Sequence, residues 1–291
     1  MLTILESPLT TRLTSYAAVV DALKLNYDDD RLVIEGLIAA ASGLIRHHDR
    51  IRQSFARTRY RETLTAWDGR YLVLSEGPVV SVEQVLYRSA AFASTDYTLV
   101  PTAPGRAPQR ALYRARGWAT AESGAVYPLL SSPGDLVWQI DYTAGYLLPE
   151  DNRDLVTTWS AIAASQSYQD SDGRVPLLIA GERPVLAGFT TVVNNGTPTV
   201  VSRTASTLAV SGLILADEAA GEEITVTCRT LPQDLERQCI ELVRSMYLER
   251  QWDLTGPHVV DTGGGTRLLN RAPAGMPTTV LEGLRPYMRT I

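Results

Sequence analysis

Few residues of this chain have the types and spacing that catalysis or metal binding requires. Its three histidines are His47, His48 and His258. Neighbouring side chains on a helix point about 100° apart, so His47 and His48 would chelate a metal poorly, and no cluster of Cys or His completes a site. Basic residues near the C-terminal end of a helix, where the helix dipole favours positive charge, explain this pair better.

Carboxylates are the second group of candidates. The run from Asp28 to Asp30 lacks the Gly and the distant Glu of an EF-hand loop, whereas acids just before a helix provide an N-cap and a favourable first turn. Asp135, Asp141 and Glu150 lie close in sequence, as paired catalytic carboxylates would. Asp141, however, falls in an alternating strand pattern, and we expect it to face solvent.

The glycine run from Gly263 to Gly265 is a candidate phosphate loop. It follows no predicted strand and opens no predicted helix, so we interpret it as a hinge. The sequence also contains no G-x-S-x-G, P-loop or paired zinc motif. We therefore expect a protein that is not an enzyme, with no catalytic residue, no bound metal and no cofactor.

The composition is that of a soluble globular protein with a sizeable core. Of its 291 residues, 45% are hydrophobic and 20% are charged, which allows one large domain or two. Cys228 and Cys239 are too few for a disulfide framework, so we expect free buried thiols in a reducing cytoplasm. No apolar run reaches the roughly 20 residues of a bilayer span, and the chain does not open with a signal-peptide pattern. We expect no membrane partner.

The formal net charge of −5 does not favour a nucleic-acid-binding protein. An arginine cluster nevertheless follows the second predicted helix, and it consists of Arg50, Arg52, Arg57, Arg59 and Arg61. This cluster either forms a solvated or subunit-pairing face, which we favour, or lines a lumen through which DNA passes. We expect duplex DNA to be bound weakly if at all.

Three helices are predicted from apolar residues that recur with the helical period. The third runs from Leu231 to Trp252, begins with Pro232, and is the element around which we expect the chain to be arranged. Its apolar side consists of Leu235, Cys239, Leu242, Val243 and Met246. A short helix from Thr14 to Leu25 and a longer one from Arg31 to Ile45 precede it.

Short strands occupy the region between the second and third helices. Tyr60 to Leu64 and Tyr71 to Leu74 are predicted to form a hairpin through Asp68-Gly69. Further strands are predicted at Val79 to Tyr87, Asp96 to Val100, Ala111 to Tyr113 and Leu136 to Tyr142. An antiparallel meander with a helical bundle therefore gives an α+β domain made of residues 1–148 and 230–254.

Residues 149–229 differ in pattern, because strand-like runs at short and regular spacing are separated by turns such as Asn194-Asn195-Gly196. The runs are Val175 to Ile179, Thr190 to Val193, Thr199 to Val201, Thr207 to Val210 and Glu223 to Thr227. They predict a small all-β module with a sandwich-like or barrel-like fold. Its position between the last strand and the third helix makes it an insertion into the α+β domain.

Residues 255–291 are predicted to form a flexible C-terminal arm, which is rich in Gly and Pro as far as Met276. The arm ends in an apolar foot, which consists of Leu281, Leu284, Tyr287 and Met288. The foot either docks on a partner, which we favour, or folds back on its own subunit.

The order of these elements resembles the adaptor, or head-tail connector, family of long-tailed bacteriophages. The segments that carry the resemblance are Leu25 with Asp28 to Asp30, Leu37 to Ile45, Gly77 to Val82, Asp96-Tyr97, Val137 to Tyr146, Leu231-Pro232, Leu235 to Arg250, and Leu284 to Tyr287. Their order and spacing are typical of the family, although each is short. The inserted β module is a departure from a minimal member, and it leaves the module's role and the subfamily open.

The resemblance implies a structural, non-enzymatic virion protein that is assembled in the host cytoplasm. Family members form a ring, usually of twelve copies, below the portal protein at the head-to-tail junction. The ring lets DNA pass and provides the platform for a stopper or tail-terminator protein. The C-terminal segment commonly contacts the portal in this family, which agrees with the apolar foot described above.

A second class of function stays open beside this one. The chain could be a tail or capsid-decorating component that uses its β module to recognise a host surface or a carbohydrate. That role requires exposed aromatic side chains for stacking on sugars, and Phe189 is the sole aromatic residue between Val175 and Cys228. The sequence therefore favours the adaptor.

Overall fold

The computed structural model describes residues 1–25, 30–48, 51, 53–65, 70–87, 90–100, 111–118, 137–255 and 276–288. These residues form an α+β structure in which strands of several antiparallel sheets outnumber the helices. The helices are α1 (Tyr16–Leu23), α2 (Arg31–His47), α3 (Gln233–Thr255) and α4 (Thr278–Leu284).

Helix α3 packs against α1, α2 and α4, as its single apolar side requires. Leu235, Cys239, Leu242 and Val243 on that side are all buried, which confirms the predicted stripe except at Met246, which is half-buried. Burial raises the pKa of the Cys239 thiol to about 12, so this cysteine is a core residue and unreactive. The prediction of free buried cysteines is confirmed for Cys228 as well.

The two shorter helical predictions are also confirmed, with one correction at a cap. Ser15 caps α1, and its hydroxyl accepts a hydrogen bond from the Ala18 N–H at 3.3 Å. Asp30 precedes α2, but its side chain makes no capping hydrogen bond. Its carboxylate instead accepts a hydrogen bond from the Tyr247 hydroxyl of α3 at 2.8 Å. Asp28 and Asp29 lie outside the described residues.

A five-stranded antiparallel sheet contains the longest strands of the chain. Its members are β1 (Leu2–Glu6), β2 (Thr58–Thr65), β4 (Val79–Tyr87), β5 (Ala90–Ala91) and β8 (Val137–Ala144). Their order is β1-β2-β8-β4-β5, so the predicted meander is wrong in its order. Of these five strands β8 comes last in the sequence, yet it lies between β2 and β4, and its alternate residues Trp138, Ile140 and Tyr142 are all fully buried, as a central strand requires.

A second, three-stranded sheet supplies the other side of this core. It consists of β3 (Tyr71–Val73), β6 (Thr98–Leu99) and β7 (Ala111–Tyr113), in the order β3-β7-β6. The predicted hairpin of β2 with β3 is therefore wrong, because β2 pairs with β1 and β8 while β3 pairs with β7. Trp118, which follows β7 in the chain, stands edge-on to Trp138 of β8, with ring centroids 5.1 Å apart. Asp68-Gly69 lies outside the described residues.

The strands of the predicted module form two further sheets around one core. They are β9 (Arg153–Val156), β10 (Trp159–Ile162), β11 (Ser167–Asp170), β12 (Val185–Ala187), β13 (Thr199–Arg203), β14 (Thr207–Ser211) and β15 (Ile224–Thr227). Their orders are β10-β11-β14-β13 and β12-β15-β9, and residues from both sheets share one buried cluster. The runs predicted at 175–179 and 190–193 are not strands. Three strands of the module that were not predicted, β9, β10 and β11, lie before Val175.

The chain enters and leaves this β module at one place. Leu147 donates its N–H to the Thr230 hydroxyl at 2.8 Å and accepts hydrogen bonds from the N–H groups of Thr230 and Leu231, each at 3.0 Å. Asn152 closes the same junction, because its side-chain oxygen accepts from the N–H groups of Cys228 and Arg229. Adjacent ends are what an insertion requires.

The chain divides into two compact units. One consists of Met1–Pro8 and Gln53–Tyr146, and the other of Leu9–Arg52 and Leu147–Ile291. The first unit holds the five-stranded and three-stranded sheets, and the second holds the helices together with the β module. This grouping differs from the domains expected from the sequence, 1–148 with 230–254, 149–229 and 255–291. Those boundaries stay a prediction that deletion of the module tests.

Gly145 is a position where the fold of the first unit tolerates no side chain. Its φ is +100°, and a Cβ there would lie 2.5 Å from the main-chain oxygen of Ala56. We expect Gly145→Ala to lower the free energy of unfolding by about 2 kcal/mol or more, from backbone strain and a backbone clash.

Chemical denaturation checks this, with Gly173→Ala as the matched control. Gly173 also has a positive φ, +65°, but a Cβ added there would meet no atom within 4 Å. The control should cost about 1 kcal/mol or less. Equal losses for the two variants would show that the approach of Ala56 does not constrain Gly145.

Removal of the whole β module should leave a folded remainder. We expect replacement of residues 149–228 by a short Gly-Ser bridge to give a soluble chain with the helical content of α1 to α3, measured by circular dichroism. A deletion of 175–228 is the contrasting variant, because it leaves β9 without its partner β15 and β11 without its partner β14. An unfolded chain after the larger deletion would make the module part of the helical core.

Candidate assembly surfaces

The arginines of the predicted cluster differ in their contacts and in their burial. Arg61 on β2 forms two hydrogen bonds with Asp141 on β8, from Nε to Oδ1 at 2.8 Å and from Nη2 to Oδ2 at 2.7 Å. The hydrogen bond and the negative charge of Asp141 raise the pKa of the Arg61 guanidinium. Asp141 is only 4% exposed, so the expectation that it faces solvent is wrong. It is an ion-pair partner across neighbouring strands.

The remaining arginines differ in their surroundings. Arg57 is buried at 3% exposure and Arg59 is half-buried, although both stand on or beside β2. Arg50 and Arg52 lie outside the described residues. Because Arg61 is paired and Arg57 is buried, the described part of the cluster presents less free positive charge than the sequence indicates. Lumen lining and subunit pairing both stay predictions.

A buried carboxylate holds the opposite face of the same sheet. Glu62 accepts hydrogen bonds from the Tyr142 hydroxyl at 2.9 Å and from the Ser75 N–H at 2.9 Å, and also from the Ser75 hydroxyl. Burial, together with the charge of Glu62, raises the pKa of Tyr142 well above its ordinary value. Glu62 is only 2% exposed, and its donors come from β8 and from Ser75, so this network joins neighbouring segments of the first unit.

The apolar foot of the arm lies on α3. Leu284 has no exposed surface, and Val280 is also buried on the same side of α4. The Tyr287 hydroxyl donates a hydrogen bond to the Asp234 carboxylate in the first turn of α3 at 2.7 Å. Leu281 and Met288 are half-buried. The structure therefore shows Leu284 and Tyr287 in the folded-back arrangement.

Polar contacts attach the starts of α1 and α2 to α3 as well. The Thr14 hydroxyl donates to Glu236 at 3.3 Å, and Arg229 forms an ion pair with the same carboxylate at 2.5 Å. The Asp30 contact with Tyr247 lies farther along α3. Sequence reasoning missed the contacts of Thr14 and Asp30, because each joins residues of ordinary type that are more than 200 positions apart in the chain.

The β module presents apolar side chains and no stacking platform among its described residues. Its aromatic residues Trp159, Tyr168 and Phe189 are all buried. Val192 and Val193, in contrast, are 80% and 52% exposed on a short loop. Carbohydrate stacking therefore has no support in the part of the module that the structure describes.

Metal clusters and membrane-spanning helices do not occur in the described part of the chain. Nowhere among these residues do three or more His, Cys, Asp or Glu side chains gather as they would around a metal ion. No described helix combines the length and the apolar character needed to cross a membrane.

Truncation of the foot's buried side chain should destabilise the isolated protein. We expect Leu284→Ala to lower the free energy of unfolding by about 2–5 kcal/mol, because the cavity would form in a fully buried contact with α3. Tyr287→Phe should cost about 1 kcal/mol through the lost hydrogen bond to Asp234. Thermal and chemical denaturation measure both, with exposed Glu282→Ala as the control. Unchanged stability in Leu284→Ala would contradict packing of the foot on α3 in solution.

Comparison with models of protein families and with curated proteins found no match. Among solved structures, the chain is similar to a chain of the virion of a native gene transfer agent particle, with 23% identity, a TM-score of 0.34, and 52% of this chain and 77% of that chain covered. It is also similar to a chain of the neck of an empty gene transfer agent particle computed with C6 symmetry, with 21% identity, a TM-score of 0.34 and coverage of 52% and 77%. At this TM-score the two similarities do not establish a common fold.

Proposed function

We propose that this chain is a structural protein of a phage-like virion and, more specifically, the adaptor of its head-to-tail connector. The observation that carries the proposal is that segments with the family's residues meet in pairs in the structure. The Asp30 carboxylate meets Tyr247, and the closing segment meets the start of α3 through Tyr287 and Asp234. Three of these four residues, Asp30, Tyr247 and Tyr287, belong to segments chosen from the sequence alone for their order, and Asp234 lies between two such segments.

Two further segments of the resemblance, Gly77 to Val82 and Val137 to Tyr146, meet in the five-stranded sheet. The N–H of Gly145, at the end of the segment Val137 to Tyr146, donates to the carbonyl of Pro78 at 2.9 Å. Val79 then pairs with Ala144 at the start of the β4 register with β8. These two segments belong to the resemblance, and their contact is a property of the fold that sequence order does not guarantee.

In this role the protein forms a ring of usually twelve copies below the portal, and the ring provides the platform for a stopper or tail-terminator protein. DNA passes through the ring during ejection and is bound weakly if at all, consistent with the net charge of −5. The protein acts as a scaffold and performs no catalysis. Its place is the virion, at the head-to-tail junction, and the helices packed around α3 would correspond to the helical bundle of the connector fold.

The four residues of the foot differ in how accessible they are to a portal protein. Leu281 and Met288 are half-buried, so they can contact a portal while α4 stays on α3. Docking of Leu284 and Tyr287 would first require α4 to leave α3, at the cost of a buried aliphatic contact and a hydrogen bond. We therefore propose that the exposed side of α4 reaches the portal first.

One observation favours the alternative, a tail or capsid-decorating component with a binding β module. The loop that bears Val192 and Val193 is held rigidly, because Glu218 accepts hydrogen bonds from the N–H groups of Thr190 and Thr191 and from the Asn194 side chain. Exposed apolar groups on a fixed loop are typical of a contact surface. This loop could serve a neighbouring virion protein without changing the adaptor role.

Electron cryomicroscopy of particles that contain this protein tests the proposal. We expect a closed ring of copies in head-to-tail contact between the portal and the next tail-side component. Virions assembled without the chain should hold a portal but no attached tail. Density for single copies on the capsid shell or on the tail tip would instead support the alternative.

A further inference from the structure

The edge strand β1 leaves apolar side chains in contact with water. Leu2 is 39% exposed, Ile4 56% and Leu5 38%, although all three belong to a regular strand of the five-stranded sheet. Among the described residues, no strand lies on the side of β1 that faces away from β2. An exposed apolar edge without lysine or proline is a site at which another strand can add.

The hydrogen bonds of β1 show which main-chain groups point outward. Met1 exchanges two hydrogen bonds with Thr63, its amino group donating at 2.7 Å and its carbonyl accepting at 2.8 Å. Bonded and non-bonded pairs alternate in an antiparallel ladder, so Thr3 bonds to its partner on β2 while Leu2 and Ile4 direct their N–H and C=O groups away from it. The one irregularity in the register lies after Ile4.

The side chains of Leu2 and Ile4 also belong to the core face of the sheet. In the register, Leu2 is opposite Glu62 and then Ile140, and Ile4 is opposite Tyr60 and then Tyr142. Those four partners are buried, and the burial ends at β1. The core face is therefore continuous across the strands but uncovered at its last one.

We propose that β1 is the surface through which two copies of this chain pair, antiparallel, with Leu2 of each copy opposite Ile4 of the other. In this register the outward N–H and C=O groups of Leu2 and Ile4 form four main-chain hydrogen bonds between the copies. The apolar side chains of both residues then meet on the same face, and the uncovered core face continues into the second copy.

A second copy fits this edge because the edge is complementary to itself. The register that joins Leu2 to Ile4 joins Ile4 to Leu2 as well, so one two-fold axis through Thr3 satisfies both strands. A two-fold contact of this kind cannot by itself generate a head-to-tail ring. The pairing is consequently separate from the proposed function, and it holds or fails whether or not the chain is an adaptor.

The first test is the mass of the purified chain in solution, measured by analytical ultracentrifugation over a wide concentration range and without an N-terminal tag. We expect a concentration-dependent dimer. Ile4→Lys should raise the dissociation constant of this dimer by at least about tenfold, since a charge would enter an apolar pair. Ile214→Lys is the matched control, because it places the same charge on another exposed apolar residue, 84% exposed, and should leave the dimer unchanged.

The second test does not depend on the stability of the Ile4→Lys variant. In the proposed register Thr3 faces Thr3 of the second copy as a non-bonded pair, with Cα atoms about 4.5 Å apart, which suits a disulfide. Mild oxidation of Thr3→Cys should therefore give a covalent dimer, while the two natural cysteines are buried and Ile214→Cys, at an exposed residue, serves as the control. A chain that is monomeric at every concentration, or a dimer indifferent to Ile4→Lys that Thr3→Cys does not crosslink, would overturn the proposal. Coverage of β1 by a different virion protein in particles, with a monomer in solution, would overturn it too.

Discussion

The burial of α3 is the constraint on which the second compact unit depends. A helix with one apolar side is stable only when that side is covered, and each fully buried aliphatic contributes roughly 1.5–3 kcal/mol. Helices α1 and α2 come from one end of the chain and α4 from the other, and all three contact α3. The polar groups at their ends are used on α3 as well, through Thr14, Asp30 and Tyr287. Apolar burial thus stabilises the packing of the helices, and these hydrogen bonds position the end of each helix against α3.

The junction at Leu147 explains how a module of seven strands can interrupt such a unit. The chain leaves at Leu147 and returns at Thr230, and three main-chain and side-chain hydrogen bonds join the two points. The two ends of the module therefore lie side by side just before α3 begins. The module has its own buried cluster, which includes Trp159, Tyr168 and Phe189. An insertion with a separate core and adjacent ends adds a surface without altering the helices it interrupts.

Local patterns in the sequence were sufficient for the helices and for several strands. The stripe of α3, the helix α1 and the strand Ala111 to Tyr113 depend on residues within one element, and all were predicted. The strand order was not predictable, because β8 reaches its place between β2 and β4 through side chains that pack across more than 50 residues of sequence, as Trp138 does with Tyr87 and as the Tyr142 hydroxyl does with Glu62 at a separation of 80. The hairpin expectation failed for the same reason. Asp-Gly indicates a turn, but it does not show that the strands before and after the turn pair with each other.

The candidate surfaces were also not predictable from local sequence patterns, because such patterns do not show which residues are buried by distant parts of the chain. An apolar residue near a chain end, such as Leu284, has the same sequence signal whether it docks on a partner or folds back, and only its burial on α3 distinguishes the two. Likewise Asp141 alternates with apolar neighbours as a solvent-facing residue would, yet it is buried because Arg61 on the adjacent strand supplies two donors to its carboxylate. The residues left exposed despite an apolar side chain, Ile4 on β1 and Val192 on the module, carry no motif at all. In the proposed role, where function consists of contacts, the informative positions are those whose burial the isolated chain does not complete.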